Sequence, residues 1–249
     1  MSGSATANFE KIRCPVCDGD DFADLFEKQG EPFVRCQSCT LVLINPRPRF
    51  DAVSETYDAA YSDTYLAKAE KKLKRAHGRV ARIKSRYERT GRWLDVGCSA
   101  GFIVKAATEA GFEAWGVDLE AAAINYGKHS LGLANLSHGQ LLSCDFPDQH
   151  FDVISMYDVI EHVPELPAFV EELKRILKPD GIIDIGTPDV GHWRVPRDLG
   201  EWSEIKPSEH LYYFSYLTLA RLLNRHGLRI VKKRFNLKPG IKCVAAHLR

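Results

Sequence analysis

Seven apolar positions, Leu66, Ala69, Leu73, Ala76, Val80, Ile83 and Tyr87, recur at alternating spacings of three and four. That period places them on one stripe of a long helix, which Gly91 is positioned to end. Beyond it, short apolar runs alternate with helix-period stretches. Trp93–Val96, Glu113–Val117, Phe151–Met156 and Ile182–Ile185 read as strands, with helices over Phe102–Ala110, Ala121–His129 and Leu166–Leu177. Strand and helix in turn predict a parallel sheet. Lys178-Pro179-Asp180-Gly181 reads as a turn, and Tyr216–His226 as a helix capped by Gly227. Two further strands, Leu228–Phe235 and Ile241–Leu248, are joined by Lys238-Pro239-Gly240, a connection short enough to make them antiparallel neighbours.

Residues 11–48 differ. They lack helical periodicity, are punctuated by cysteines and finish in Asn45-Pro46-Arg47-Pro48, where two prolines disfavour helix. A boundary is therefore expected near residue 50, separating a small module (11–48) from a main domain (50–249) that opens with a helical segment over 50–90. With 249 residues, 45% hydrophobic and 27% charged, the chain can bury one full α/β core and a small appendage. Met1–Glu10 is polar and no stretch is apolar enough to cross a bilayer. A soluble, cytoplasmic protein with no membrane partner is the expectation.

The count of seven cysteines is odd, and four of them form two tight pairs, Cys14-Pro15-Val16-Cys17 and Cys36-Gln37-Ser38-Cys39, with eighteen residues between. Such spacing suits two thiolate knuckles closing a tetrahedral zinc site. Four cysteines leave no open coordination position, so the predicted zinc is structural; two disulfides or a redox pair are the competing reading. Cys98, Cys144 and Cys243 lie in apolar segments, as small buried hydrophobes do.

Trp93-Leu94-Asp95-Val96-Gly97-Cys98-Ser99-Ala100-Gly101-Phe102 is a buried strand, a small-residue turn and a helix start, the place where open α/β sheets bind ligands. Ser99 and Phe102 stand at the second and third glycine positions of the dinucleotide pattern, which argues against a nicotinamide oxidoreductase and for a cofactor without phosphate. Asp118 ends the second strand, where a carboxylate accepts from ribose hydroxyls or simply caps a helix.

Together with Phe151-Asp152-Val153-Ile154, Val159-Ile160-Glu161-His162-Val163 and Leu177-Lys178-Pro179-Asp180-Gly181, these runs resemble the ordered motifs of class I S-adenosylmethionine-dependent methyltransferases. The resemblance implies a Rossmann-like, mostly parallel seven-stranded sheet with a C-terminal antiparallel hairpin. It also implies that Asp95, Gly97, Cys98 and Gly101 surround the methionine part of S-adenosylmethionine, Asp118 holds the ribose and Leu119 packs on the adenine. Gln140, with Leu141 beside it, stands where the family usually has an acid near the adenine amino group; Asp145 is the nearest acidic alternative. Tyr157 would flank the methionine end. The cysteine pairs and Asn45-Pro46-Arg47-Pro48 resemble zinc-ribbon leaders fused to bacterial methyltransferases.

A sulfonium methyl is already activated, so transfer needs alignment and, for a poor nucleophile, proton removal. His162 is the first choice of base, with bracing of the next helix by Glu161 and His162 as the alternative. Asp158, Glu161 and His162, at i, i+3 and i+4, would share one side of a helical turn and with His210 form a divalent-metal site resembling those of small-RNA 3′-end and quinone-pathway methyltransferases. The long stretch from Pro188 to His210, with His192, Trp193, Arg194, Arg197 and Trp202, is expected to cover the substrate. Tyr57, Tyr61 and Tyr65, every four residues, read as helix packing.

Lys68 to Arg92 holds eleven Lys or Arg against Glu70 and Glu88. A nucleic-acid platform is one reading; the other is a solvated face, since the apolar stripe already accounts for docking. The function expected is methyl transfer to a small hydroxylated or amino metabolite, the alternatives being a nucleic-acid methyltransferase and a cofactor-binding module without turnover.

Overall fold

The computed structural model describes residues 9–49, 69–88 and 90–248. Leu66 and the tyrosine series at 57, 61 and 65 lie outside them. The amino-terminal module contributes β1 (Phe9–Glu10), β2 (Phe22–Lys28), β3 (Glu31–Cys36), β4 (Val42–Ile44) and β5 (Arg47–Pro48). There follow α1 (Ala69–Tyr87), β6 (Arg92–Val96), α2 (Phe102–Glu109), β7 (Glu113–Asp118), α3 (Ala121–Ser130), β8 (Leu136–His138) and β9 (Phe151–Tyr157). The chain continues through α4 (Leu166–Ile176), β10 (Leu177–Pro188), β11 (Tyr212–Tyr213), α5 (Tyr216–Arg225), β12 (Leu228–Lys233) and β13 (Gly240–His247).

Seven strands form the main sheet in the order β12-β13-β10-β9-β6-β7-β8. Five of them run parallel, and β13 and β12 close one edge in antiparallel register. The expected Rossmann-like α/β sheet with its terminal hairpin is what the chain builds. Trp93, Leu94, Val153, Ile154, Ile183 and Ile185 are fully buried, because helices cover both faces and the strands need no polar side. The stripe of α1 works as its period predicts: Ala76, Val80 and Ile83 are buried in one cluster with Trp93, Phe102 and Ile103.

Two details depart from expectation. The seventh strand, β8, has three residues of which Leu136 alone is buried. Lys178-Pro179-Asp180-Gly181 is not a separate turn; it falls within β10, where the pairing with β9 shifts register between Leu177 and Ile182.

The cysteine module is a second, four-stranded antiparallel sheet in the order β11-β4-β3-β2. Its fourth strand comes from far along the chain: Tyr212 pairs with Leu43 and Tyr213 with Val42. Phe33, Val42 and Ile44 share a core with Trp202, Ile205 and Tyr213. Trp202 is thus a buried core side chain at 4% exposure, not a cover for substrate. Lys28 Nζ donates to the Gly200 and Ile205 carbonyls (3.0 and 3.3 Å), and the Ser208 amide donates to Glu31 Oε2 (2.7 Å). The stretch before β11 is therefore pinned on the module. Among the described residues, no helix is long and apolar enough to cross a membrane.

Arg47 locks the two units. Its buried guanidinium donates through Nη1 to Tyr212 Oη (2.6 Å) and the Pro164 carbonyl (2.9 Å), and through Nε to Glu10 Oε1 (2.8 Å). Removing it leaves the buried Tyr212 hydroxyl oxygen without its donor and the Pro164 carbonyl with the Tyr212 hydroxyl in place of two donors. Arg47→Leu is expected to lower the unfolding free energy by about 2 kcal/mol, Glu10 being partly solvated. Urea denaturation measures this, and a loss within experimental error would mean that the contacts carry no weight.

Candidate active site

The chain leaving β6 must reverse into α2 beneath β7. Gly97 (φ 70°), Ser99 (φ 51°) and Gly101 (φ 81°) take left-handed conformations to do so. The Gly97 and Cys98 amides donate to the Val117 carbonyl (2.8 and 3.1 Å), and the Ser99 amide to Asp118 Oδ2 (2.7 Å). Asp118 Oδ1 accepts from the Glu120 amide (2.8 Å). Each carboxylate oxygen offers about two acceptor directions, so one per oxygen is left over among the described residues. A Cβ at Gly97 would come within 2.3 Å of Val159 Cγ2, so only glycine fits between the loop and the segment after β9.

Over this loop lies a cavity of about 370 Å³. Gly97, Asp118, Leu119, Gln140 and Leu141 line it, as do Asp158 and His162. Leu119 is an apolar side chain left 43% exposed at its wall. Asp145 is exposed and is not on the wall. Asp95, Cys98 and Gly101, expected around the methionine, are not on the wall either and act from beneath. Asp95 is 3% exposed and accepts from Ser155 Oγ (2.6 Å), which in turn accepts from Trp93 Nε1 (2.8 Å). Cys98 packs against Gly116, where a Cβ would stand 2.7 Å from its sulfur. Gly101 abuts Leu133 and Leu136.

A second cavity, of about 1090 Å³, adjoins the first, and Asp158 and His162 line both. Tyr157 faces this second space, its ring packed over Gly186 and its hydroxyl donating to Asp184. Asp158 follows β9 in the left-handed region (φ 56°), its amide donating to the Gly186 carbonyl (2.8 Å). Ile160–His162 then forms a single 3-10 turn. The α-helical turn that would have aligned Asp158 with Glu161 and His162 does not form, and the Asp158 carboxylate does not join their close group of ligand atoms.

His210 takes its place. One ligand atom each from Glu161, His162 and His210 lie within 4.8 Å of one another, and the two imidazoles meet edge to face with centroids 4.6 Å apart. His162 Nδ1 lies 2.7 Å from the Glu209 carbonyl. A carbonyl only accepts, so Nδ1 carries the hydrogen and Nε2 is left with its lone pair. Glu161 is 1% exposed; Oε2 accepts from Thr187 Oγ1 (2.9 Å), while Oε1 and His210 Nδ1 are buried with no partner among the described residues. Burial, with Asp158 adding to it, pushes the Glu161 carboxyl up to about 8, and burial holds His210 down to about 3, helped by His162.

Thr187 and the Glu209 carbonyl were not anticipated. Thr187 does carry a sequence signal, since it follows Ile182–Ile185 at the carboxyl end of a parallel strand, where ligands gather. Trp193, on the long stretch, is 71% exposed and does not line the cavity.

In the module, one sulfur each from Cys14, Cys17, Cys36 and Cys39 lie within 4.8 Å of one another. The Cys14–Cys39 and Cys17–Cys36 sulfurs are each 3.4 Å apart, well beyond the ~2.05 Å of a disulfide. The knuckles match: the Asp18 amide donates to Cys14 O (2.7 Å) and the Thr40 amide to Cys36 O (2.9 Å), with Asp18 (φ 65°) and Thr40 (φ 68°) both left-handed.

Residues 65–233 match the family described as "Methyltransferase domain". A probable S-adenosylmethionine-dependent methyltransferase of Mycolicibacterium smegmatis is 26% identical over 137 residues, covering 55% of this chain and 51% of that protein. A ubiquinone biosynthesis O-methyltransferase of Rhodopseudomonas palustris is 33% identical over 105 residues, 39% of each chain. The chain thus spans about half, or less, of these curated relatives' length. Among solved structures, the 1,6-didemethyltoxoflavin-N1-methyltransferase of Burkholderia thailandensis, with bound 1,6-didemethyltoxoflavin and S-adenosylhomocysteine, aligns with a TM-score of 0.63 at 15% identity. That alignment covers 91% of this chain and 99% of that one. A SAM-dependent methyltransferase from Aquifex aeolicus aligns over 67% of this chain and 88% of its own, with a TM-score of 0.51 at 22% identity. At these identities the likeness is one of fold.

Asp95 gives the site a pH dependence. Burial pushes its carboxyl up to about 7, against the hydrogen bond from Ser155. Between the ordinary carboxylate range and that value the folded chain holds a proton that the unfolded chain has released, so stability falls as pH rises and levels off above about 7. Asp95→Asn lacks this proton. Urea denaturation of both proteins from pH 5 to pH 8 is expected to show the wild type losing stability relative to the variant; parallel profiles would refute the assignment.

Proposed function

The chain belongs to the methyltransferase-domain family, and from that premise we propose that it transfers the methyl group of S-adenosylmethionine to a small hydroxylated or amino metabolite. The observation that carries this reading is the doorway between the two cavities, where Asp158 and His162 belong to both walls. A cofactor in the smaller cavity would present its methyl group to an acceptor in the larger.

In this reading the free acceptor positions of Asp118 take the ribose hydroxyls. Leu119 packs on the adenine, and Gln140 and Leu141 meet its edge. Gly97 lets the backbone approach, with Asp95, Cys98 and Gly101 holding the loop from below and Tyr157 flanking the methionine end. His162 Nε2, with its lone pair free, accepts the proton that the nucleophile gives up. No further activation is required of the protein, because the methyl–sulfur bond of a sulfonium breaks as the new bond forms, its electron pair staying on sulfur, and a neutral thioether leaves.

A second reading is favoured by the orphaned Glu161 Oε1 and His210 Nδ1. Two imidazoles and one carboxylate suit a divalent cation. Glu161, His162 and His210 would hold it, and when bound it would supply Lewis-acid polarisation of substrate oxygens. Asp158 would then face the substrate. In the module, Cys14, Cys17, Cys36 and Cys39 fit a closed tetrahedral zinc site that stabilises the fold and takes no part in chemistry.

Titration calorimetry tests the cofactor. The wild type is expected to bind S-adenosylmethionine, and Asp118→Asn to weaken it by roughly 10- to 100-fold, the loss of hydrogen bonds to a charged acceptor. No uptake by folded wild type would overturn the assignment. Radiolabelled cofactor with cell extract, with and without magnesium, chelator or RNase, then separates the acceptors: label lost to RNase would replace the metabolite by RNA, and loss of turnover with chelator would favour the metal. Elemental analysis is expected to return one zinc per chain, and far less in the Cys36→Ser/Cys39→Ser double variant.

A further inference from the structure

Three arginines of α1, Arg75, Arg79 and Arg82, do not sit on an idle solvated face; they line the larger cavity, and Arg234 and Lys242 line it from the terminal hairpin. Arg79 lies over the Tyr157 ring at 3.6 Å. Arg234 Nη2 donates to Asp184 Oδ1, and Arg82 Nη2 stands 3.7 Å from Asp184 Oδ2. Asp184 is itself fully buried and already accepts from the Tyr157 hydroxyl. Each of its oxygens thus accepts one hydrogen bond, while Arg82 Nε and Arg234 Nε are buried with no partner among the described residues. The five cations are close enough to feel one another: burial first, then Arg79, Arg234, Arg82 and Arg75, hold the Lys242 ammonium below its usual range. The remaining carboxylates of the cavity, Asp158, Glu161 and Glu204, line it together with His162 and His210, at the chemical end.

S-adenosylmethionine cannot neutralise this wall. It carries a sulfonium and an ammonium against a single carboxylate, so its arrival adds one positive charge. Low-dielectric walls lined by one sign of charge select and concentrate the opposite one, and guanidinium forks recognise planar and tetrahedral oxyanions by paired hydrogen bonds. Resting on the methyltransferase reading above, we propose that the acceptor is a small anionic metabolite whose phosphate or carboxylate group is gripped between α1 and the terminal hairpin, placing its nucleophile toward His162. The anion sets position and specificity; the methyl goes elsewhere on the same molecule.

The test uses the full chain saturated with S-adenosylhomocysteine and titrated calorimetrically with inorganic phosphate and with citrate. Saturable one-site binding of at least one probe is expected, phosphate preference pointing to a phosphorylated acceptor and citrate preference to a carboxylated one. Arg75→Gln/Lys242→Gln, both exposed positions, is expected to weaken the probe at least tenfold and leave S-adenosylhomocysteine affinity within twofold. Lys71→Gln/Lys74→Gln, on the outer face of the same helix, is expected to change neither. Equal anion affinity in all three proteins, or anion binding abolished by S-adenosylhomocysteine, would overturn the inference while leaving the cofactor assignment intact. Failure to take up S-adenosylhomocysteine at all would instead overturn the methyltransferase reading, and this inference with it.

Discussion

The hydrogen bond from the Ser99 amide to Asp118 fixes the distance between two loops on which the smaller cavity depends. A glycine-bearing turn alone would leave backbone amides pointing into open space, and a carboxylate alone would be a helix cap. Joined, they form a rigid floor, because the same Asp118 also holds the Glu120 amide and the Val117 carbonyl takes the amides of Gly97 and Cys98. The left-handed backbone at Gly97, Ser99 and Gly101 is the conformational cost of that floor. Buried beneath it, Asp95 is held through Ser155 to Trp93, so the floor rests on a buried polar relay within the sheet.

The chemical end of the site depends on a different support. His210 and the Glu209 carbonyl precede β11, and β11 belongs to the sheet of the cysteine module. Glu31, Lys28 and the Trp202 core fasten the preceding stretch to that sheet. The cysteine module therefore decides where an imidazole of the candidate site stands. This is positioning by a rigid scaffold, and a long connection achieves it only because side chains from both units hold it down.

Periodicity made most of the fold legible. The α1 stripe, the buried strands and the antiparallel hairpin follow from spacing, since each is a local pattern with one physical cause. β8 escaped because three residues with one inward side chain leave no period to read. The cysteine pairs, the Gly97 turn and Asp118 could likewise be read from local context. The partnership of Glu161 with His210 was legible only as a possibility, and Asp158 was grouped with them by a helical spacing that the backbone does not adopt. Trp202, Arg79 and Arg82 were misplaced for a common reason: what a side chain faces is decided by elements distant in sequence, here the module core and the terminal hairpin.

The borrowed strand also orders events during synthesis. The cysteine knuckles are made before the main sheet, yet Tyr212 and Tyr213, which complete their own sheet, follow only after β6, β7, β9 and β10. Until then β4 presents an open edge and Phe33 lacks Trp202 and Tyr213 as neighbours. The module thus precedes the main sheet in sequence but reaches its final packing later, and its exposed edge must be kept from pairing with other chains throughout that interval.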